Sequence, residues 1–262
     1  MILRNNYAIP GKTFAILLLL TAFSISLLGQ TKLMLGAKSG ISIPNLKAKG
    51  DNPISEGWSS RLGVYAGIMA EYEIGNNLYL QAEINYASQG GKKNGLQTIP
   101  TSAFANEVPP GTVLPTYVYG NYQSEVKLNY LELPVLLKSS ITLSESISIL
   151  LEAGPYAGFL INAKNITAGN GNIYLDKSLS IPLLEESISF DQNNDIKKDI
   201  NSFNAGVQAG VGLGINLPNE NKINIITGIN MGFTPIQKDV LNGQNNTGAI
   251  TITASYLFKS RK

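Results

Sequence analysis

The sequence predicts an all-β protein, an eight-stranded antiparallel up-and-down transmembrane β-barrel, on three observations. Phe203 to Leu217, FNAGVQAGVGLGINL, alternates without a break: Phe203, Val207, Val211 and Ile215 share one side, and Asn204, Gln208, Gly212 and Asn216 the other. A strand with one wet face normally carries Lys, Glu or Thr there. Here the second face offers Gly, Gln and Asn, which suit a crowded polar interior, while the apolar side suits lipid. Connections between the strand-like segments alternate between long and short, which places the long loops at one end. Charged residues make up only 15% of the chain beside 26 Gly and 12 Tyr, a strand-and-turn composition.

Met1 to Gln30 reads as a signal peptide: Arg4 and Lys12 precede an apolar run from Phe14 to Leu28, followed by Gly29, Gln30 and Thr31. A retained inner-membrane anchor is the alternative, although the run is short for a helical span. The remaining residues, 31–262, form one barrel domain. Its strands are expected at Lys32 to Ile41, Arg61 to Tyr72, Asn77 to Ser88, Ser124 to Lys138, Ser146 to Ala163, Phe203 to Leu217, Lys222 to Phe233 and Thr247 to Phe258. Leu78, Leu80, Ala82, Ile84 and Tyr86 give the third an apolar face opposite Tyr79, Gln81, Glu83 and Asn85. The fourth is ambiguous, because Val126, Leu128 and Tyr130 share one parity and Leu131, Leu133, Val135 and Leu137 the other. A bulge near Tyr130, or a change of environment at the membrane surface, would explain the switch.

Removing Arg4 and Lys12 from the 20 basic residues leaves 18 against 18 acidic ones, so a basic nucleic-acid surface is not expected. The chain has no Cys and no His, which removes thiol chemistry, the commonest general base and the commonest zinc ligand. No enzyme activity, cofactor or metal is expected.

At Tyr130-Leu-Glu-Leu-Pro134, Leu151-Glu-Ala-Gly-Pro-Tyr156 and Tyr256-Leu-Phe258 the chain resembles the outer-membrane β-barrel domain family of Bacteroidota, the porin-like or PorT-like proteins. The likeness extends to Leu35-Gly-Ala-Lys-Ser-Gly40 and the glycine-rich sixth strand, although Lys259 to Lys262 follow the terminal aromatic. The resemblance implies an eight-stranded barrel, exported by a signal peptide and inserted into the outer membrane by the barrel-assembly machinery. It implies no single activity.

If the small-residue faces point inward, Lys38, Arg61, Glu71, Glu83, Glu132 and Glu152 sit inside the barrel as an ion-pair network filling a narrow lumen. Tyr117, Tyr119 and Tyr122, downstream of Pro109, Pro110 and Pro115, form either a loop binding surface or part of the fourth strand above the bilayer. Asp191-Gln-Asn-Asn-Asp195 opens like a calcium loop but has Ile196 and Ser202 where Gly and Glu are needed. Gly210, Gly212 and Gly214 recur at period two with no following helix and read as packing glycines. The apolar residues from Leu179 to Phe190 predict a hairpin extension or a cap over the barrel mouth. The expected function is non-enzymatic, through outer loops or periplasmic turns, in surface binding or an envelope or secretion complex. Outer-membrane lipid and an envelope or extracellular protein or glycan are the expected partners. Passive porin-like transport of small solutes, or a soluble periplasmic lipocalin-like carrier, are the alternatives.

Overall fold

A computed structural model describes residues 33–104, 113–184 and 186–259. The expected signal segment, Pro109, Pro110 and the last residues after Lys259 lie outside the described residues. The long strands are β1 (Leu33–Ala48), β2 (Gly63–Gly75), β3 (Leu78–Pro100), β4 (Tyr117–Thr142), β5 (Ile147–Ala168), β6 (Phe203–Asn216), β7 (Lys222–Gly232) and β8 (Asn245–Lys259). Each pairs antiparallel with its sequence neighbours, and the β1–β8 pairing closes an eight-stranded ring. Closure leaves no free edge along the body of the sheet. The short turns, at 76–77, 143–146 and 217–221, share one end with both chain ends of the ring.

Around the waist the outward positions form an apolar band. Ile68, Ile84, Val211, Ile229 and Ile250 are each about half exposed, an arrangement that only lipid solvates well. Aromatic residues mark its rims. Phe159 and Phe203 meet edge to face at 5.7 Å at the long-loop rim, and Tyr72, Tyr256 and Phe258 stand at the other. The glycine-rich face of β6 points inward, where space is short: a Cβ at Gly206 would lie 2.6 Å from the Tyr156 ring, and one at Gly212 would lie 2.1 Å from the Ile225 carbonyl oxygen.

The strands extend further at the long-loop end than the sequence predicts, β3 to Pro100 and β4 from Tyr117. The parity switch in β4 explains the difference. Its even-numbered residues face inward along the whole strand, from Val118 through Tyr130 to Lys138. Up to Tyr130 the inside is apolar and Glu125, Lys127 and Asn129 face out; beyond it Leu131, Leu133, Val135 and Leu137 face out. The backbone does not turn over; the surroundings invert as the strand leaves the lipid. A register shift does occur at Asn129/Tyr130, but the extra residue, Ile161, is on β5. It turns Ala163 inward in place of an even-numbered residue.

A charge placed mid-band should be costly. Val211→Arg should lower the unfolding free energy in lipid by about 2–4 kcal/mol, measured by denaturant titration in bilayers.

Candidate functional site

Within the waist, inward side chains from different strands converge in layers. Glu83 on β3 accepts from Lys38 Nζ on β1, from Gln81 Nε2 at 2.5 Å and from Asn85 Nδ2 at 2.7 Å. The Lys38 ammonium also stands 4.9 Å from the centre of the Tyr65 ring. Toward the short turns, Glu71 accepts from Lys138 Nζ at 2.6 Å and faces Lys222 Nζ at 3.6 Å. Glu152 meets the Gln81 amide at 3.5 Å. Glu132 is fully buried and forms no ion pair among the described residues; it accepts amide hydrogen bonds from Gln89 at 3.1 Å, Gln208 at 2.9 Å and Asn230 at 3.0 Å.

These residues leave little free space. A void of about 20 Å³ beside Lys38 and Glu152 has room for about one water. A vestibule of about 200 Å³ opens at the short-turn end. Buried paired charges stand between the vestibule and the opposite mouth. Such an arrangement satisfies charge in a low-dielectric interior.

Lys138 was not expected inside. It is 1% exposed and bridges Glu71 and Gln81 Oε1, the latter at 3.1 Å. Its signal was present: once Leu131 to Leu137 are taken as the lipid face, the alternation carries Lys138 inward. Arg61 requires the opposite correction. β2 begins only at Gly63, so Arg61 lies beyond its alternation and bonds Glu125 Oε1 at 2.8 Å, Ser88 Oγ at 3.0 Å and the Gln89 carbonyl at 3.1 Å. Glu125 and Lys127, 3.2 Å apart, alternate with the inward Val126 and Leu128, so this cluster belongs to the wall above the apolar band. Although desolvation acts to raise it, hydrogen bonds from Arg61 and Lys127 hold the Glu125 carboxyl below its ordinary value.

Above the lumen Leu46, Val126, Leu128, Tyr130, Leu160 and Ile236 pack into an apolar floor with Trp58 against it. Residues 170–184 and 186–195 fold back as a hairpin, pairing Asn170 with Ser189 and running 192–195 along β5. Its Ile173 and Phe190 pack on Val118 and Tyr122, the inner side of the extended β3–β4 wall. Between this wall, the loop before β2 and the segments 196–200 and 236–237 lies a mouth cavity of about 270 Å³, lined by Ile54, Trp58, Lys93, Tyr122, Val126 and Ile236 among others.

The three candidate tyrosines do not form one platform, because strand alternation separates them. They belong to β4 rather than to a loop, and Tyr117 and Tyr119 have the opposite parity to Tyr122. The Tyr122 ring stacks on Phe190 at 4.5 Å, and burial raises its phenol pKa. Asp191 and Asp195 are likewise engaged locally: Asp191 accepts from the Gly169 N–H at 3.0 Å and Asp195 from the Lys197 N–H at 2.8 Å. Among the described residues no group of three or more His, Cys, Asp or Glu is placed to hold a metal ion.

Breaking the Lys138–Glu71 pair on one side leaves a buried carboxylate with only the more distant Lys222, at 3.6 Å. Lys138→Met should destabilise the barrel by about 3–5 kcal/mol in urea titrations, and adding Glu71→Leu should recover much of that loss.

Solved structures of similar shape include Neisserial surface protein A, at 11% identity and TM-score 0.44, covering 87% of this chain and 97% of that one. The attachment invasion locus protein Ail of Yersinia pestis aligns at 14% identity and TM-score 0.36, over 87% and 99% of the two chains. The outer membrane protease OmpT from Escherichia coli aligns at 11% and 0.36, over 87% and 95%. No curated protein matches the chain by sequence. Residues 28–238 match the outer membrane protein β-barrel domain family, to which this chain belongs, and its place is the outer membrane.

Proposed function

We propose that this outer-membrane barrel is non-enzymatic and acts by binding through its extracellular side, with the lumen serving as a structural plug. The observation that carries this reading is the filled waist, where Lys38, Glu83, Glu71 and Lys138 are all 9% exposed or less and form the pairs Lys38–Glu83 and Lys138–Glu71. Long loops face outward in outer-membrane barrels, so the extended β3–β4 wall and the mouth cavity are what the cell presents to its surroundings. Catalysis is disfavoured by the lack of His and Cys and by the hydrogen bonds that already occupy the lumen carboxylates. The motifs at Tyr130 to Pro134 and Leu151 to Tyr156 support membership of the PorT-like branch found in Bacteroidota, and residues 1–30 would direct export as a signal peptide. The partner class is an envelope or extracellular protein or glycan.

Purified protein in planar bilayers should give no stable conductance steps; reproducible steps altered by Glu83→Gln would establish transport instead. Replacing residues 97–120 by a tight turn should leave the heat-dependent gel mobility shift of a folded barrel and abolish binding of whole cells to extracellular-matrix protein and glycan arrays. Wild-type cells that bind nothing beyond a deletion strain would overturn the surface-binding reading.

A further inference from the structure

We propose that the mouth cavity binds a small amphipathic carboxylate, with its anionic group on Lys93 and its apolar body against Trp58, Val126 and Ile236. This deepens the reading of an extracellular binding side and rests on it. The cavity, about 270 Å³, is at the small end of ligand pockets, and its floor is the apolar cluster beneath the mouth. An apolar floor of Leu46, Val126, Ile200 and Ile236 beneath a rim that carries Lys93, Gln97, Asn165 and Gln237 suits a compact amphipathic ligand, its body on the floor and its head among the polar groups.

Lys93 supplies the head-group contact. It is half-buried on β3, its Nζ donating to the Ile54 carbonyl at 2.6 Å and standing 4.6 Å from the centre of the Trp58 ring. The buried cations of the barrel, Lys38, Arg61 and Lys138, each have a carboxylate partner. Among the described residues no carboxylate lies within ion-pair distance of Lys93. Charged groups facing it are the exposed Glu56, whose field reaches it, and Asp199 at the exposed rim of the cavity; Tyr122 is the other titratable neighbour. The Trp58 indole N–H, packed inside the same wall, has no acceptor among the described residues. The wall therefore offers a cation without a matching anion, next to the apolar surface of Trp58, Val126 and Ile236. Burial brings the Lys93 ammonium down to about 8, with Glu56 acting in the other direction, so it is charged at neutral pH and loses its proton in mildly alkaline solution.

Trp58 is the chain's single tryptophan, so its fluorescence reports this cavity alone. The full-length barrel in phosphatidylcholine nanodiscs is titrated with 4-bromobenzoate, a heavy-atom quencher, and with the uncharged 4-bromobenzamide. Saturable quenching by the acid is expected, with the amide binding about tenfold more weakly. Lys93→Gln should weaken the acid about tenfold, and Lys93→Arg should keep most of its affinity, both retaining the heat-dependent mobility shift. Affinity for the acid should fall as pH rises through about 8, since Lys93 must carry its proton to hold an anion. Linear quenching without saturation, equal affinity for acid and amide, or unchanged affinity in Lys93→Gln overturns the proposal. Should Lys93→Gln lose its mobility shift, the acid-to-amide ratio in the wild type and its pH dependence decide the matter alone. Conductance steps would overturn the binding reading without touching this result, and failure of the titration with a silent lumen would remove only the carboxylate site.

Discussion

Lipid offers no hydrogen bonds, so every backbone N–H and C=O in the apolar band must find a partner within the protein. The β1–β8 pairing, fifteen residues long from Met34 with Lys259 to Ala48 with Asn245, meets that demand by joining the two ends of the sheet. Other features of the structure follow from closure. A ring of eight strands has a narrow bore, and its inward positions can be filled by only a limited volume of side chain. Hence β6 contributes glycines where Tyr156 and Ile226 lean in from its neighbours.

A filled bore of polar residues must also balance its charges. The lumen meets this in two ways. Glu71 and Glu83 are matched with lysines from other strands, while Glu132 is held by amides from Gln89, Gln208 and Asn230. Lys38, Lys138, Gln208 and Asn230 each reach a carboxylate on a strand that is not their neighbour in the ring, so these hydrogen bonds cross the bore and link lateral strand order to interior chemistry. The same bonds that balance these charges also fill and stiffen the waist.

Most of the barrel was legible because period-two alternation and alternating loop lengths are local signals. Strand identities, the lipid faces of β3 and β6 and the interior placement of Glu83 could all be read from neighbours a few residues apart. The sequence was less informative where the solvent changes along a single strand. In β4 the same inward parity holds Leu128 in an apolar floor and Lys138 in an ion pair, so hydrophobicity alone pointed to opposite faces. Arg61 was misplaced for a related reason: alternation was carried two residues past the point where β2 begins. The mouth cavity was not visible at all, since Trp58, Lys93 and Ile236 are far apart in the chain and meet only through the closed ring and folded loops.

The inversion of surroundings at Tyr130 also fixes the molecule vertically. Sliding β4 outward would carry Leu131 and Leu133 into water, and sliding it inward would carry Glu125 and Lys127 into hydrocarbon; both displacements are opposed. The strand thus acts as a depth stop against the bilayer. Counting from Leu131 to Val126 and Tyr122 along a tilted strand, the mouth stands roughly 10–20 Å above the lipid edge. A thicker or thinner membrane would have to deform around the protein rather than raise or lower its rim, so whatever approaches from outside meets the cavity at a constant height.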